Sequence, residues 1–321
     1  QLARQGYRLP TGGPGSQGAP GDVDVGNMQV EMQVFTRRQP WALVCGVDKA
    51  LTMLQCCTGY REGDGSADSD KFVDTHRDLE VWAVHDGDVV HYEGDPMRVQ
   101  PVMRIRGRYR DFAVLETALL GALTRGTRIA SNVYDVLKAA RGKPVLYFPA
   151  RFDAHELQAD DGYAYYIAVQ RYNASLKAAG CTQPACTQSA ALRPAISTDA
   201  QGQWWGGAGG GTVPHAAIAC FLGDTAAATV AFAETRDVRE PRIALVYFHN
   251  DNIGESLKVM AAMFARYREH IEAGRPDQAR KFVLYAVRPD TSAELRDVRV
   301  DPLGDPALVC GVNPRLVADL R

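Results

Sequence analysis

The chain has 321 residues, of which 46% are hydrophobic and 23% are charged, and its formal net charge is −2 at pH 7. This balance, without a lysine-rich segment, argues against a nucleic-acid-binding protein, and no apolar run approaches the roughly 20 residues of a membrane span. The length is enough for one large α/β barrel or for two domains. We therefore expect a globular cytoplasmic protein whose partners are neither nucleic acids nor membranes.

The seven cysteines are spaced irregularly. Cys45 and Cys220 lie in apolar runs, which is typical of reduced, buried thiols in a cytosolic protein. A zinc site could be drawn from Cys181, Cys186, His215 and Cys220, but the spacings match no standard zinc pattern. We therefore assign no metal ligands.

The first part of the chain predicts a lead-in and then a strand-rich domain. Residues 1–27 are rich in Gly and Pro, which predicts a linker-like or disordered segment. After it, hydrophobic alternation predicts several strands and one helix. Residues 85–88 (HDGD) predict a hairpin turn between two of these strands. An N-terminal α+β domain is expected over 28–109, with strands at 28–35, 41–47, 80–84, 89–92 and 102–105 and a helix ending at 54.

From residue 110 onward, strands alternate with helices, which predicts parallel βαβ units. We expect an irregular, incomplete α/β (TIM-like) barrel over 110–321, truncated at its C-terminus. The predicted strands are 145–148, 243–248, 282–287 and 307–312. The predicted helices cover 112–123, 129–137, 157–178, 214–222, 225–235, 254–271 and 314–320.

The most informative stretch is 204–215, which reads WWGGAGGGTVPH. A glycine cluster is entropically expensive to order, so it usually serves a turn or the close approach of a ligand. Pro214 favours the first turn of a helix, which places His215 where the helix dipole attracts anions and favours a neutral imidazole. Such a ring can act as a base or as a nucleophile. The alternative is a flexible loop with a helix-capping histidine.

The ends of three predicted strands carry polar groups, and chemistry in a parallel barrel collects at these ends. Arginine is suited to carboxylates and phosphates by its bidentate fork. The strand ends predict a site for an anionic substrate from Arg151, Arg288, Asp290 and His215, with Phe148 and Phe152 as an aromatic wall. For Arg288 and Asp290, the alternative is that they pair with each other and cap a following helix.

Five segments, taken in order, resemble the nicotinate phosphoribosyltransferase family. They are 107–117 (GRYRDFAVLET), 148–153 (FPARFD), 197–207 (STDAQGQWWGG), 211–216 (GTVPHA) and 287–292 (VRPDTS), and the resemblance covers roughly 28–321. The family has an α/β N-terminal domain and an irregular α/β barrel, a type II phosphoribosyltransferase fold. Its members join nicotinate to 5-phosphoribosyl-1-diphosphate, giving nicotinate mononucleotide and diphosphate in NAD biosynthesis.

The resemblance implies an enzyme with three small-molecule substrates: nicotinate, 5-phosphoribosyl-1-diphosphate with Mg²⁺, and ATP, whose hydrolysis can drive the reaction through a phosphohistidine. It also implies a homodimer. By resemblance, the catalytic residues are His215 as the phosphohistidine, Arg288 and Asp290. The implied substrate-binding residues are Phe148, Arg151, Gly211, Thr212 and Arg288.

The chain departs from the family pattern at three places. Tyr247 stands where homologues usually carry an aspartate. The early aromatic motif has no counterpart before Met28, and glycine-rich phosphate loops would lie beyond Arg321. We therefore expect a fragment lacking both ends, with little transferase activity if nothing follows Arg321. The alternatives are a nicotinamide or quinolinate phosphoribosyltransferase, which shares the barrel, and a non-catalytic relic that acts as an interaction protein.

Overall fold

The computed structural model describes residues 5–9, 23–63, 71–178, 191–301 and 303–321. The chain divides into two compact units, Gln1–Gly211 and Thr212–Arg321. The domain boundary predicted between residues 109 and 110 lies inside the first unit and stays a prediction.

The first unit is rich in short antiparallel ladders. Its strands are β1 (Arg8–Leu9), β2 (Val23–Asp24), β3 (Gln29–Phe35), β4 (Trp41–Leu43), β5 (Gly59–Glu62), β6 (Lys71–Asp74), β7 (Glu80–Ala83), β8 (Val89–His91), β9 (Pro101–Arg108), β10 (Leu146–Tyr147) and β11 (Ala195–Ile196). The largest sheet has the order β3-β9-β7 and is antiparallel. Antiparallel pairs also join β1 to β2, β4 to β8 and β5 to β6, whereas β10 and β11 are parallel. The short β1–β2 ladder falls within the predicted lead-in, most of which lies outside the described residues.

The alternation that predicted β3 has a clear physical basis. Val30, Met32 and Val34 face inward and pack against a core that includes Met103 and Ile105 of β9. Since successive side chains of a strand point to opposite faces, a period of two buries one side of the strand. The predicted strand is therefore confirmed.

The predicted hairpin at residues 85–88 is wrong in its pairing. The turn itself forms, with the Asp88 N–H donating to the His85 carbonyl over 3.1 Å and Gly87 at φ +96°. However, β7 before the turn pairs with β9, and β8 after it pairs with β4. A local turn signal does not decide which strand lies beside which, because pairing depends on the faces that become buried.

The described part of the first unit contains four α-helices. They are α1 (Val47–Cys57), α2 (Tyr109–Phe112), α3 (Glu116–Ala140) and α4 (Gln158–Ala178). The two predicted helices at 112–123 and 129–137 are largely one continuous helix, α3. A second core lies where α3 and α4 meet the β-strands, and it includes Leu43, Leu137, Tyr165, Val169 and Ile196.

The second unit is built around one parallel strand pair. Its strands are β12 (Arg242–Val246) and β13 (Leu284–Pro289), and its helices are α5 (His215–Cys220), α6 (Thr225–Thr235), α7 (Asn252–Glu272), α8 (Pro276–Ala279), α9 (Pro306–Val309) and α10 (Pro314–Asp319). Ala244 and Val246 of β12 pack on Val259 and Met263 of α7 and on Phe282. The predicted β-α-β unit is confirmed here.

The strand predicted at 307–312 is wrong. The chain forms α9 instead, because the Asp305 side chain accepts the Ala307 N–H over 3.0 Å and Pro306 occupies the first helical turn. Of the predicted segment, only Cys310 forms a β-bridge, with Arg296.

The predicted α/β class is confirmed at the coarse level: a strand-rich N-terminal region precedes helices that alternate with strands. The parallel pairs β10–β11 and β12–β13 belong to separate two-stranded sheets within the described residues. The barrel therefore stays a prediction.

Candidate functional site

His215 is the first residue of helix α5, and Pro214 is the N-cap. The helix begins there because Pro214 is in an extended conformation and its ring disfavours a helical conformation of the residue before it. Its imidazole is partly exposed, and Nε2 lies 2.8 Å from Oδ2 of Asp290. The sequence thus placed His215 correctly at a helix start, and the structure adds a carboxylate partner.

Asp290 also binds Arg288, two residues earlier at the end of β13. Nη2 of Arg288 donates to the same Oδ2 atom over 2.6 Å. The three predicted catalytic residues, His215, Arg288 and Asp290, therefore meet at one carboxylate oxygen. The pairing of Arg288 with Asp290 was also part of the alternative reading, but the segment that follows Asp290 is turn rather than helix within the described residues.

Tyr247 forms one wall of this cluster. It follows β12, which pairs with β13, so the two strand ends lie side by side. The phenol ring lies 4.3 Å from the imidazole of His215, centroid to centroid, at an angle of 60°. Partial burial, and next the Asp290 carboxylate, raise the pKa of Tyr247, so its phenol stays protonated and neutral beside the imidazole.

Two polar residues that the sequence reasoning missed lie in the first turn of α7. Glu255 is buried, and its carboxylate accepts the backbone N–H groups of the three residues after β12. Asn252 is fully buried and donates to the Thr291 hydroxyl and the Asp297 carboxylate, each over 2.7 Å. In sequence, such residues after Asp251 read as ordinary helix-capping groups, so no local signal separates them from a cap.

The predicted binding residues Phe148 and Arg151 lie in the first unit. Both are exposed, in the loop after β10, and the Arg151 guanidinium lies over the ring of Phe152 at 5.4 Å. Their convergence with His215 stays a prediction.

The glycine-rich loop is held by backbone contacts. Gly210 donates its N–H to Ile196, and Gly211, at φ +64°, donates to Ser197 over 3.2 Å. A Cβ atom on Gly209 would lie 2.6 Å from the carbonyl carbon of Thr198, so the loop needs glycine for close approach. Because these N–H groups already donate to backbone carbonyls, they are not free to bind phosphate, which argues against this loop as the main phosphate-binding loop. Thr212, the other predicted binding residue here, begins the second unit.

A cavity of about 520 Å³ in the first unit was not predicted. Its walls carry paired charges: Lys49 contacts Asp160, and Arg125 makes a bidentate pair with Asp161 over 2.8 and 2.7 Å. A sequence does not show such pairs, because their members lie 36 or more positions apart.

The zinc site drawn from cysteines falls partly outside the described residues, since Cys181 and Cys186 lie there. Among the residues that the structure does describe, no three or more His, Cys, Asp or Glu side chains group as a metal site. Cys220 is exposed and unpaired with another cysteine in this part of the chain.

Residues 22–126 match the family model described as the N-terminal domain of quinolinate phosphoribosyl transferase. Two solved structures resemble this chain over most of its length. Nicotinate-nucleotide pyrophosphorylase from Pyrococcus furiosus is 20% identical with a TM-score of 0.52, over 90% of this chain and 67% of that one. Human nicotinic acid phosphoribosyltransferase is 14% identical with a TM-score of 0.50, over 82% and 64%. A search of curated protein sequences found no match.

The chain has a type II phosphoribosyltransferase fold. The resemblance drawn from the five segments is therefore confirmed at the level of the fold. The chain spans about two thirds of the length of each of these two structures. Among the residues that the structure describes, no helix is both long and apolar enough to traverse a lipid bilayer.

Proposed function

We propose that this chain is a phosphoribosyltransferase of NAD biosynthesis that transfers the phosphoribosyl group of 5-phosphoribosyl-1-diphosphate to nicotinate. The observation that carries the proposal is the cluster of His215, Asp290 and Arg288 at the ends of two parallel strands. The fold, the five sequence segments and this cluster support the same chemistry. We propose further that these strands belong to an irregular barrel and that the active form is a cytoplasmic homodimer.

The geometry suits His215 as a phosphate acceptor from ATP. Asp290 accepts the Nε2–H proton, which fixes the tautomer with a lone pair on Nδ1. Within the described residues Nδ1 has no hydrogen-bond partner, so it is the nucleophile. The Nδ1 lone pair attacks the γ-phosphorus, the bond to the ADP oxygen breaks, and the Nε2 proton stays with the Asp290 pair. Water then cleaves the phosphohistidine.

Arg288 supplies positive charge beside this nucleophile. It uses Nη2 on Asp290, which leaves other N–H donors of its fork for a phosphate or a carboxylate. The transferred ribose carbon develops cationic character while diphosphate leaves, so the protein mainly has to position anions and neutralise the leaving group. Magnesium enters as part of the substrate, bound to the diphosphate, since Mg²⁺ usually takes few protein ligands beside substrate phosphates.

Tyr247, which stands where the family usually has an aspartate, gives the His215 site a neutral wall. Its ring packs on the imidazole, and its raised pKa keeps it uncharged near Asp290. We assign it a packing role. Compared with an aspartate at this position, it reduces the negative charge that a substrate anion meets there.

Quinolinate is the second candidate acceptor, because residues 22–126 match the quinolinate phosphoribosyl transferase domain. An assay that offers nicotinate, nicotinamide and quinolinate separately, with 5-phosphoribosyl-1-diphosphate, Mg²⁺ and with or without ATP, tests the acceptor. We expect nicotinate mononucleotide from nicotinate. If product forms only from quinolinate or only from nicotinamide, that compound is the acceptor in place of nicotinate. If the chain binds none of the substrates, the result favours the non-catalytic interaction protein.

The phosphate-acceptor role is tested with radiolabelled ATP. The variant His215→Ala should lose protein labelling at least about 100-fold, because among the described residues no other imidazole bonds to Asp290, and should retain some ATP-independent turnover. His91→Ala, an exposed histidine of β8, serves as the control and should label normally. Undiminished labelling of His215→Ala would remove His215 from this role.

A further inference from the structure

Two buried side chains in the first turn of α7 reach the two loops that flank His215. Asn252 and Glu255 are three positions apart, so both lie on the same side of the helix. Each is almost completely excluded from solvent, which is rare for polar residues. The Glu255 carboxylate and the Asn252 amide nitrogen are hydrogen-bonded, whereas Oδ1 of Asn252 has no partner within the described residues.

Glu255 organises the loop that carries Tyr247. Its Oε2 atom accepts the Tyr247 N–H over 3.1 Å and the Thr225 hydroxyl over 2.8 Å. Its Oε1 atom accepts the His249 N–H over 2.9 Å and contacts Nδ1 of the same histidine at 3.1 Å. One carboxylate therefore satisfies the backbone amides that β12 leaves open where it ends. Hydrogen bonds to a charged acceptor of this kind are the stronger class.

Asn252 organises the loop that carries Asp290. Its Nδ2 atom donates to the hydroxyl of Thr291, the next residue after Asp290, over 2.7 Å. Its side chain and its backbone N–H both donate to Asp297, which is fully buried. The segment from Asp290 to Asp297 is thus tied to the start of α7 at two points.

We propose that Glu255 and Asn252 are positioning residues that hold the two walls of the His215 site, the Tyr247 ring and the Asp290 carboxylate. This inference rests on the proposed role of His215. The two walls come from different strands, and the first turn of α7 is the element that bonds to both loops. Neither residue touches the imidazole; each acts through the loop that does.

The consequence concerns which imidazole nitrogen reacts. With Asp290 held at Nε2, only Nδ1 is open to a phosphodonor. If the Asp290 loop shifts, Nε2 loses its partner and becomes open as well. If the Tyr247 ring, which packs on the imidazole, shifts, the imidazole is free to turn away from Asp290 with the same result. The ratio of the two phosphohistidine isomers at His215 is therefore a readout that a purely structural residue elsewhere in the unit would not change.

The test uses phosphoramidate, a small phosphodonor that loses ammonia when it phosphorylates imidazole, on the whole 321-residue chain. The peptide that contains His215 is first isolated after proteolysis, and its phosphohistidine isomers are then identified by base hydrolysis and chromatography. The variants are Glu255→Gln, which turns one acceptor oxygen into a donor facing other donors, and Thr291→Val, which removes the Asn252 contact and is close in size. Their controls are Glu269→Gln, exposed on the same helix, and Thr229→Val, a buried threonine of α6.

Wild type and both controls should give the Nδ1 isomer only. Glu255→Gln and Thr291→Val should give both isomers, with total labelling of Nδ1 reduced several-fold, while far-UV circular dichroism stays native. The wild-type isomer pattern in both variants would overturn the proposal. If Glu255→Gln does not fold, the milder Thr291→Val decides the Asn252 part, and Thr225→Val, which removes one Glu255 contact, decides the other.

Absence of labelling in the wild type would mean that the phosphate-acceptor role has failed, not the positioning role. In that case crystal structures of the same variants decide. A distance from His215 Nε2 to Asp290 that stays at 2.8 Å, with an unmoved Tyr247 ring, would overturn the positioning role. Separation of either contact would support it.

Discussion

Each unit of the molecule contains an arginine–aspartate pair, and the two pairs are built differently. In the first unit, Arg125 binds both oxygens of Asp161, whose side chain is 1% exposed. In the second, Arg288 reaches Asp290 through one nitrogen, and that carboxylate is 39% exposed and shared with His215. The difference lies in the carboxylates: Asp161 is buried and bound by both arms of one guanidinium, which also contacts Asp153, whereas Asp290 is partly exposed and shared between Arg288 and His215.

The difference separates stability from chemistry. A buried carboxylate that loses its partner is left with an uncompensated charge, so we expect the Arg125–Asp161 pair to contribute to stability. An exposed pair contributes little to stability because water and salt screen it. The open pair leaves His215 and Arg288 partly exposed, which the proposed substrate site requires.

Removing the carboxylate charge from each pair tests most directly whether the two pairs differ in their contribution to stability. Asp161→Asn should lower the free energy of unfolding by about 2 kcal/mol, since its two charge-assisted hydrogen bonds are weakened, while Arg125, which is 37% exposed, keeps its contact with Asp153. Asp290→Asn should lower it by less than about 1 kcal/mol. Urea denaturation followed by tryptophan fluorescence for the first variant and by circular dichroism for both gives the values. Equal losses for the two variants would remove the distinction.

Alkaline pH should destabilise the first unit more than the second. Burial raises the pKa of Cys45, Tyr147, Tyr163 and Tyr165, all in the first unit. As pH rises past the ordinary values, about 8.5 for cysteine and 10 for tyrosine, the unfolded chain releases protons that the folded unit still holds. Folding stability therefore falls with rising pH, by about 2 kcal/mol between neutrality and about pH 9.5.

The chain offers a convenient probe of this pH effect. All four tryptophans lie at or before residue 205, inside the first unit, so their fluorescence follows that unit. The variant Cys45→Ala should flatten the dependence between about pH 8 and 9.5, because it removes the group that titrates first. A stability that is constant over this range in the wild type would contradict the prediction.

Replacing each arginine with lysine should reduce activity in the second unit and stability in the first. Arg288→Lys keeps the charge but loses the planar fork, so we expect kcat/KM for 5-phosphoribosyl-1-diphosphate to fall about tenfold, or about 1.4 kcal/mol. Arg125→Lys should reduce stability instead, because a bidentate pair becomes monodentate. Wild-type kinetics for Arg288→Lys would place the phosphate contact elsewhere.

The smallest effect tests packing around the cavity of the first unit. Gly121, in the middle of α3, has open space where a Cβ would stand, so Gly121→Ala should raise stability by about 0.5–1 kcal/mol. Gly126 on the same helix is the matched control: its Cβ would lie 2.8 Å from the Cys45 carbonyl oxygen. Gly126→Ala should therefore lower stability by about 1 kcal/mol or more. The melting temperatures of both variants measure the difference. A melting temperature that falls in Gly121→Ala as it does in Gly126→Ala would show that the cavity wall is not open at Gly121.

Local patterns determined much of this protein. The alternation in β3 predicted a strand because one face of a strand is buried. The glycine run and Pro214 predicted a helix start at His215, and the end of β13 predicted polar groups at Arg288 and Asp290. Each of these depends on neighbours within a few residues, which a sequence displays directly.

Tertiary structure decided the contacts between distant residues. It paired β7 with β9 rather than with β8, brought Asp290 to His215 across 75 positions, and placed Glu255 and Asn252 under the two site loops. Burial makes these choices, because a strand face or a buried carboxylate is stable only where the folded chain supplies its partner. The sequence by itself thus indicated His215, Arg288 and Asp290 as candidate residues, and the fold determined that they meet and which buried groups support them.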